Sequence, residues 1–380
     1  MEFCSAAKLA YEQAQAAIDG HPDEKTGPLL EPILKPLWAA YGVLSRGRDQ
    51  REPLAIDLPE RKVLLAEDGS VERIFVPPRL EAHRLIEEFM IQANVCAAET
   101  LEARRSPVVY RIHDEPSWEK LEALREFLGT LDMSFPKAGN LRPSQFNRVL
   151  ERVTESPNAL LVNEVILRSQ SQAEYAVENI GHFGLNLRRY AHFTSPIRRY
   201  PDLLVHRGIK AILAGKRYEA GDLHAVGEHC SETERRADDA TRDVEAWLKS
   251  YYMQDHVGEE FEGTISGVTN FGLFVTLDDL FVDGLVHISD LGQDYFQFDA
   301  HKHMLRGERS GAKYQLAGRV RVKVVRVNLE QAKIDFTLVE AASPSPLGEG
   351  RGEGQREGRG EGKKKPRDID KKMKKIEKYK

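Results

Sequence analysis

From Leu80 to Arg105 the chain reads "LEAHRLIEEFMIQANVCAAETLEARR", with Leu85, Phe89, Met90 and Val95 at near-helical intervals and polar residues between them. That spacing predicts an amphipathic helix, and Pro77-Pro78 ahead of it sets a boundary. "PSWEKLEALREFLGTL" repeats the pattern, with Ser117 placed to cap the helix and Gly129 near its stop. A third long helix is predicted over "SETERRADDATRDVEAWLKSYYM", which closes on Trp247, Leu248, Tyr251 and Tyr252. Extended segments are few before residue 255. The clearest is "RKVLLAEDGSVERIFV", two short apolar runs around an Asp-Gly hairpin signal.

From Phe261 to Leu338 the pattern changes to period-two alternation with frequent glycine and β-branched residues, as in "FEGTISGVTNFGLFVTL" and "RVRVKVVRVN". Five such strands, with a long connection from 289 to 318, predict a small closed β-barrel of the OB type. Along one strand Leu273, Val275 and Leu277 point into the core, so Gly272, Phe274 and Thr276 point out. An outward Phe274, with Phe271 beside it, suits base stacking. It equally suits packing beneath a neighbouring domain or the long loop. After Glu340 comes "SPSPLGEGRGEGQREGRGEG", which cannot bury a core and is expected to be disordered. The expected architecture is α+β: a mainly helical region over 1–255, a barrel over 256–340, and a linker with a basic tail over 341–380.

Composition changes this picture only locally. The chain of 380 residues has a formal net charge of −5, yet its end, "KKKPRDIDKKMKKIEKYK", holds ten Lys or Arg against three acids. Such a tail attracts polyanions, or is simply solvated. Three scattered cysteines (Cys4, Cys96, Cys230) make neither a disulfide framework nor a zinc spacing, which fits a reducing cytoplasm. No stretch is long and apolar enough for a membrane span, and no secretion signal is visible. The stretch "TSPIRRYPDLLVHR" is expected to begin a helix, with Ser195 as cap and Pro196 in the first turn. Arg198 and Arg199 then oppose the helix dipole unless an anion is bound there or Asp202 pairs with one of them.

Two resemblances extend this reading. "G-x-I-x-x-V-x-x-F-G-L-F-V" from Gly263, followed by "GLVHIS" from Gly284, resembles the S1 RNA-binding domain. The resemblance implies an RNA face containing Phe271, Phe274 and His287, with Asn328 at the family's acidic position and Lys333 at its basic one. "GHFGLNLRRYAHFTSPIRRYPDLLVHR" resembles the signature of the ribonuclease R and ribonuclease II family of 3′-to-5′ exoribonucleases. "KLAYEQAQ", "AHRLIEEFMIQANVCAA", "YRIHDEP" and "ERRADDATRDVEAWL" fit that family in order. By this resemblance the helical region is the C-terminal half of the family's catalytic (RNB) domain. Arg198 is then expected to clamp the phosphate near the scissile bond with Thr194 and Ser195 supporting it, Arg199 to be a further RNA-binding residue, and Tyr11 to stack on the terminal nucleotide. Ile56 stands where many relatives carry a second stacking Phe.

Members of that family hydrolyse RNA to nucleoside 5′-monophosphates with Mg²⁺ held by aspartates in a D-x-x-x-x-x-D-x-D-D motif, which this sequence does not contain. "ADDATRD" lies on a helix rich in arginine and is expected to make surface ion pairs; "LDDLFVDG" lies where turn aspartates are expected. No metal ligands are therefore assigned. The family's aspartate cluster lies upstream of the point where this sequence begins. The expectation is the RNA-end-clamping part of an exoribonuclease, inactive alone, whose partners are single-stranded RNA and the upstream half of the catalytic domain. The second expectation is a non-catalytic single-stranded RNA-binding protein working through the barrel and the basic tail.

Overall fold

In the computed structural model, which describes residues 5–136, 141–156, 158–299 and 304–340, the first elements are α1 (Tyr11–Ile18), a short α2 (Gly27–Leu29) and α3 (Lys35–Arg51). The hairpin β1 (Lys62–Leu65) and β2 (Val71–Phe75) follows, then α4 (Glu81–Ala103), β3 (Tyr110–Ile112), α5 (Trp118–Gly129), α6 (Pro143–Val153) and α7 (Ala159–Ser169). β4 (Glu174–Ala176), α8 (Tyr200–Leu213) and α9 (Leu223–Met253) complete the helical region. The predicted low-complexity linker and lysine-rich tail lie outside the described residues.

The helices form where the apolar spacing puts them, but α4 buries a different stripe from the one its large residues suggest. Its buried face is Ala82, Leu85, Ile91, Ala97, Ala98 and Leu101, with Glu88 and Asn94 among them, whereas Phe89, Met90 and Val95 are half-buried. Small side chains let β3 and α8 approach closely, and their apolar residues join Ala97, Ala98 and Leu101 in one cluster. α5 starts with the Ser117 hydroxyl accepting from the Lys120 N–H at 3.4 Å. Together α5, α6 and α7 enclose a separate core around Phe146, Leu128 and Ile166. Half-buried Ile56 packs against that core. α9 starts earlier than expected, at Leu223, because Asp222 caps it by accepting from the His224 and Ala225 N–H groups.

The barrel consists of β5 (Glu260–Thr269), β6 (Gly272–Leu277), β7 (Asp283–His287), β11 (Arg319–Asn328) and β12 (Lys333–Glu340), closed in the order β11–β12–β7–β6–β5. The connection read as a long loop instead folds into a three-stranded sheet of β8 (Phe296–Asp299), β9 (Met304–Gly307) and β10 (Lys313–Gln315). Leu273, Val275 and Leu277 are fully buried, as alternation requires. The barrel's apolar cluster also takes in Ile74 of β2 and Met253 of α9, with Val63 and Val71 packed against it. On the other side, Leu316 and Ala317 pack against the α5–α7 core. Among the described residues no helix is long and apolar enough to cross a membrane.

Candidate nucleic-acid interface

Ser195 does not cap a helix. α8 begins at Tyr200, with Arg199 at the cap position and Pro201 in the first turn. Residues 195–198 form a separate turn, in which the Ser195 carbonyl accepts from the N–H groups of Arg198 (3.2 Å) and Arg199 (3.1 Å). Proline explains the shift: Pro201 suits the first turn of a helix, where the missing N–H has no partner to lose, better than an interior position.

The arginine question resolves unequally. Asp202, fully buried, accepts from Arg199 Nε at 2.8 Å, from Arg199 Nη2 at 2.9 Å and from the Ser195 N–H at 2.7 Å. Arg198 is exposed, and its guanidinium makes no hydrogen bond or ion pair with the described residues. Buried Asn94 of α4 fixes the preceding stretch: its Oδ1 accepts from the N–H groups of Phe193 (2.9 Å) and Thr194 (3.2 Å), and its Nδ2 donates to the Tyr190 hydroxyl (3.0 Å). The Thr194 hydroxyl is buried without a hydrogen-bond partner. Sequence reading missed Asn94, although a polar residue at a core position of an amphipathic helix is itself a signal that something polar must meet it.

Three histidines lie behind this loop. His113 donates from Nε2 to the Ser171 carbonyl and accepts at Nδ1 from the Gly184 N–H, both at 2.8 Å. Burial lowers its pKa. Burial, reinforced by the neighbouring His113, takes His182 down to about 3. His192, hydrogen-bonded through Nδ1 to the Tyr175 hydroxyl at 2.9 Å, is taken to about 2 by burial and by the nearby Arg199. All three are neutral at physiological pH, so the positive charge at the loop comes from its arginines.

Tyr11 and Arg199 line one cavity of about 320 Å³, together with His83, Glu87, Asn94 and Tyr190. The Tyr11 ring rests against that of His83, centroids 4.2 Å apart. The His83 Nδ1 accepts from the Leu80 N–H (3.1 Å), which fixes the ring at the start of α4. Tyr11 thus offers an aromatic wall beside the arginine, while Ile56 belongs to the α5–α7 core.

On the barrel, Phe274 is 38% and Phe271 44% exposed, and their rings meet edge-on at 6.0 Å. His287 pairs in register with Gly272, and Leu285 with Phe274, which puts His287 on the same outward side. Its Nδ1 meets the Ser289 hydroxyl at 2.8 Å and the Ser289 N–H at 3.3 Å. Asn328 and Lys333 are register partners at the β11–β12 end, and Lys333 is exposed. Asp335, two residues along, is occupied by Arg326 at 2.7 Å.

The two aspartate groups hold no metal geometry. Asp239 pairs with Arg242 on α9, and Asp278 with Arg319 on the barrel. Among the described residues no three His, Cys, Asp or Glu side chains converge on a point that could hold an ion. The described residues therefore do not fit a Mg²⁺ ion.

The candidate interface thus has two parts: a loop that carries the exposed Arg198 and sends Arg199 to an aromatic-walled cavity, and a barrel with outward Phe271 and Phe274. The RNB domain family matches residues 4–215 and the S1 RNA binding domain matches residues 254–338, and the chain belongs to the RNB family. Ribonuclease R of Escherichia coli K12 is 43% identical over 386 residues, which is 97% of this chain and 47% of the relative. That of Vibrio cholerae is 42% identical, over 93% of this chain and 45% of the relative. The chain spans about half the length of these relatives. Among solved structures, Mycoplasma genitalium RNase R in complex with ribose-methylated single-stranded RNA superposes with a TM-score of 0.81 at 25% identity, covering 87% of this chain and 53% of that one.

Proposed function

We propose that this chain is the RNA-binding and RNA-end-holding part of a ribonuclease R-like 3′-to-5′ exoribonuclease of the cytoplasm. The observation that carries the reading is the unequal pair of arginines: Arg199 is taken by Asp202, and Arg198 stands free on a loop whose backbone is fixed at both ends. A free guanidinium on a rigid support suits a phosphodiester, because little ordering entropy remains to be lost on binding. In this reading Arg198 meets a phosphate near the 3′ end, Thr194 and Ser195 shape its surroundings, and Arg199 and Tyr11 line the pocket of the terminal nucleotide. Phe271 and Phe274 stack on bases further along the strand, with His287 and Lys333 beside them.

Hydrolysis belongs to the whole enzyme. Mg²⁺, when bound, would supply charge stabilisation and activate water; its carboxylate ligands are not among the residues described here and are contributed by the other half of the catalytic domain. Alone, the chain binds single-stranded RNA and releases no nucleotide.

The test incubates the purified chain with poly(A) and Mg²⁺ and follows both binding and nucleotide release. Salt-sensitive binding without release of nucleoside monophosphates is the expected result. Robust degradation overturns the assignment of the metal site. Binding that ignores Arg198→Gln but fails with Phe274→Ala leaves a purely barrel-based RNA-binding protein instead.

A further inference from the structure

Asp202 is a carboxylate with no access to solvent, and it satisfies three N–H groups from two places. Through Ser195 it ties down the first residue of the 195–198 turn, whose closing hydrogen bond reaches Arg198. Through Arg199 it takes the Nε–Nη2 edge of the guanidinium in a two-bond fork. Only the Nη1 edge of Arg199 is then left for the cavity that this residue lines with Tyr11. A planar fork held along one edge has no freedom to rotate, so its remaining edge points in one direction. Burial makes the arrangement costly to lose, since a carboxylate inside the protein must keep its partners.

Resting on the reading of this loop as the RNA-end site, we propose that Asp202 is a positioning residue for RNA. It touches no nucleotide. It aims the open edge of Arg199 and sets the turn that carries Arg198, so that both guanidiniums address the terminal phosphodiester linkages. Adjacent arginines in this sequence thus divide the work: one is held, and both are aimed by the same carboxylate.

The proposal makes a prediction opposite in sign to simple electrostatics. An acid near a polyanion repels it, so removing the charge with Asp202→Asn should strengthen RNA binding if Asp202 is a bystander. As a positioning residue, Asp202 instead makes the same variant weaker, by about tenfold. The measurement is anisotropy of a short labelled oligoadenylate titrated with the full chain over a range of KCl concentrations. The set comprises the unsubstituted protein, Arg198→Gln, Asp202→Asn, Arg199→Lys and the Arg198→Gln/Asp202→Asn pair. Arg198→Gln should reduce the salt slope of log affinity by about 0.7, one phosphate contact on a single strand.

Asp202→Asn should lose a similar slope, and the double variant should bind more weakly than Arg198→Gln by the share that Arg199 carries, but by less than the two single losses combined. Arg199→Lys keeps the charge but not the fork, and should reproduce the Asp202→Asn loss. A drop in folded fraction alone lowers the active concentration and leaves the slope untouched. If Asp202→Asn does not fold, as its circular dichroism melt will tell, Arg199→Lys carries the test. Tighter or unchanged binding by Asp202→Asn, or by Arg199→Lys where that one is decisive, overturns the proposal; so do additive losses in the double variant. An Arg198→Gln variant with unchanged affinity and slope overturns instead the reading of the loop as the RNA-end site.

Discussion

Phe271 and Phe274 stand edge-on, ring centroids 6.0 Å apart at 87°, at the start of a strand whose alternate residues fill the barrel core. Both rings keep large exposed faces although neither is needed for the core. Truncating one should therefore affect ligand binding more than folding. Phe274→Ala is expected to weaken single-stranded RNA binding by about 5- to 150-fold, the range that stacking on one base spans. The thermal midpoint should move little. Calorimetric titration with oligoadenylate, beside a thermal melt, checks it; unchanged affinity with a large loss of stability would falsify the stacking role.

In the proposed interface Lys333 would make a point-charge contact with a phosphate where an arginine would make a fork. Lys333→Gln should cost about 0.7 in salt slope and lose its effect at high salt. Lys333→Arg should bind at least as tightly as the natural residue. Affinity that is equal in all three proteins at low salt removes Lys333 from the interface.

Asn94 serves three groups at once: the Phe193 and Thr194 N–H groups and the Tyr190 hydroxyl. Asn94→Ala strands them inside the protein, at about 1–3 kcal/mol for a buried group left without a partner. A lowered urea midpoint with unchanged m-value is expected, together with weaker RNA-end binding. A variant as stable as the parent means that these groups find water or other partners.

His113, His182 and His192 are all held below the ordinary histidine pKa of 6.5 by burial, His182 at about 3 and His192 at about 2. The unfolded chain takes up protons below pH 6.5 that the folded chain refuses. Stability is therefore full above that value and falls as the pH drops from it, by up to about 1.4 kcal/mol per pH unit for each histidine. Urea unfolding at about pH 7.5 and at about pH 5 should show a lower midpoint in acid. An equal or higher midpoint at the lower pH contradicts the buried neutral state.

Gly284 on β7 lies against the ring of Phe336 on the neighbouring strand β12, and an added Cβ would collide with that ring. Phe336 is buried in the barrel core. Gly284→Ala should lose about 1–3 kcal/mol by overpacking, read as a fall in the urea midpoint. A variant of parental stability shows that the ring has room to retreat.

Much of this was legible in the sequence because alternation and helical spacing are local. Leu273, Val275 and Leu277 could be assigned inward, and Phe274 outward, from parity alone. The start of α8 was not legible, because Ser195-Pro196 and Arg199-Tyr200-Pro201 are two competing local signals. Asp202, seven residues beyond Ser195, decides between them by reaching back to its N–H. The choice of Arg199 over Arg198 as the partner of Asp202 depends on side-chain direction, which spacing of three or four residues leaves open. The cavity shared by Tyr11 and Arg199 joins residues nearly two hundred positions apart, and no periodicity records such a meeting.

Ile74 and Met253, which belong to the helical region, lie inside the barrel's own apolar cluster, while Leu316 and Ala317 reach from the barrel side to the α5–α7 core. The barrel is thus built into the rest of the protein as a fixed wall, with no tether to swing on. A strand bound at both its aromatic face and the arginine loop would have to bridge a constant gap. The molecule would then behave as a ruler, setting how many nucleotides must trail from a 3′ end before both grips can close on it.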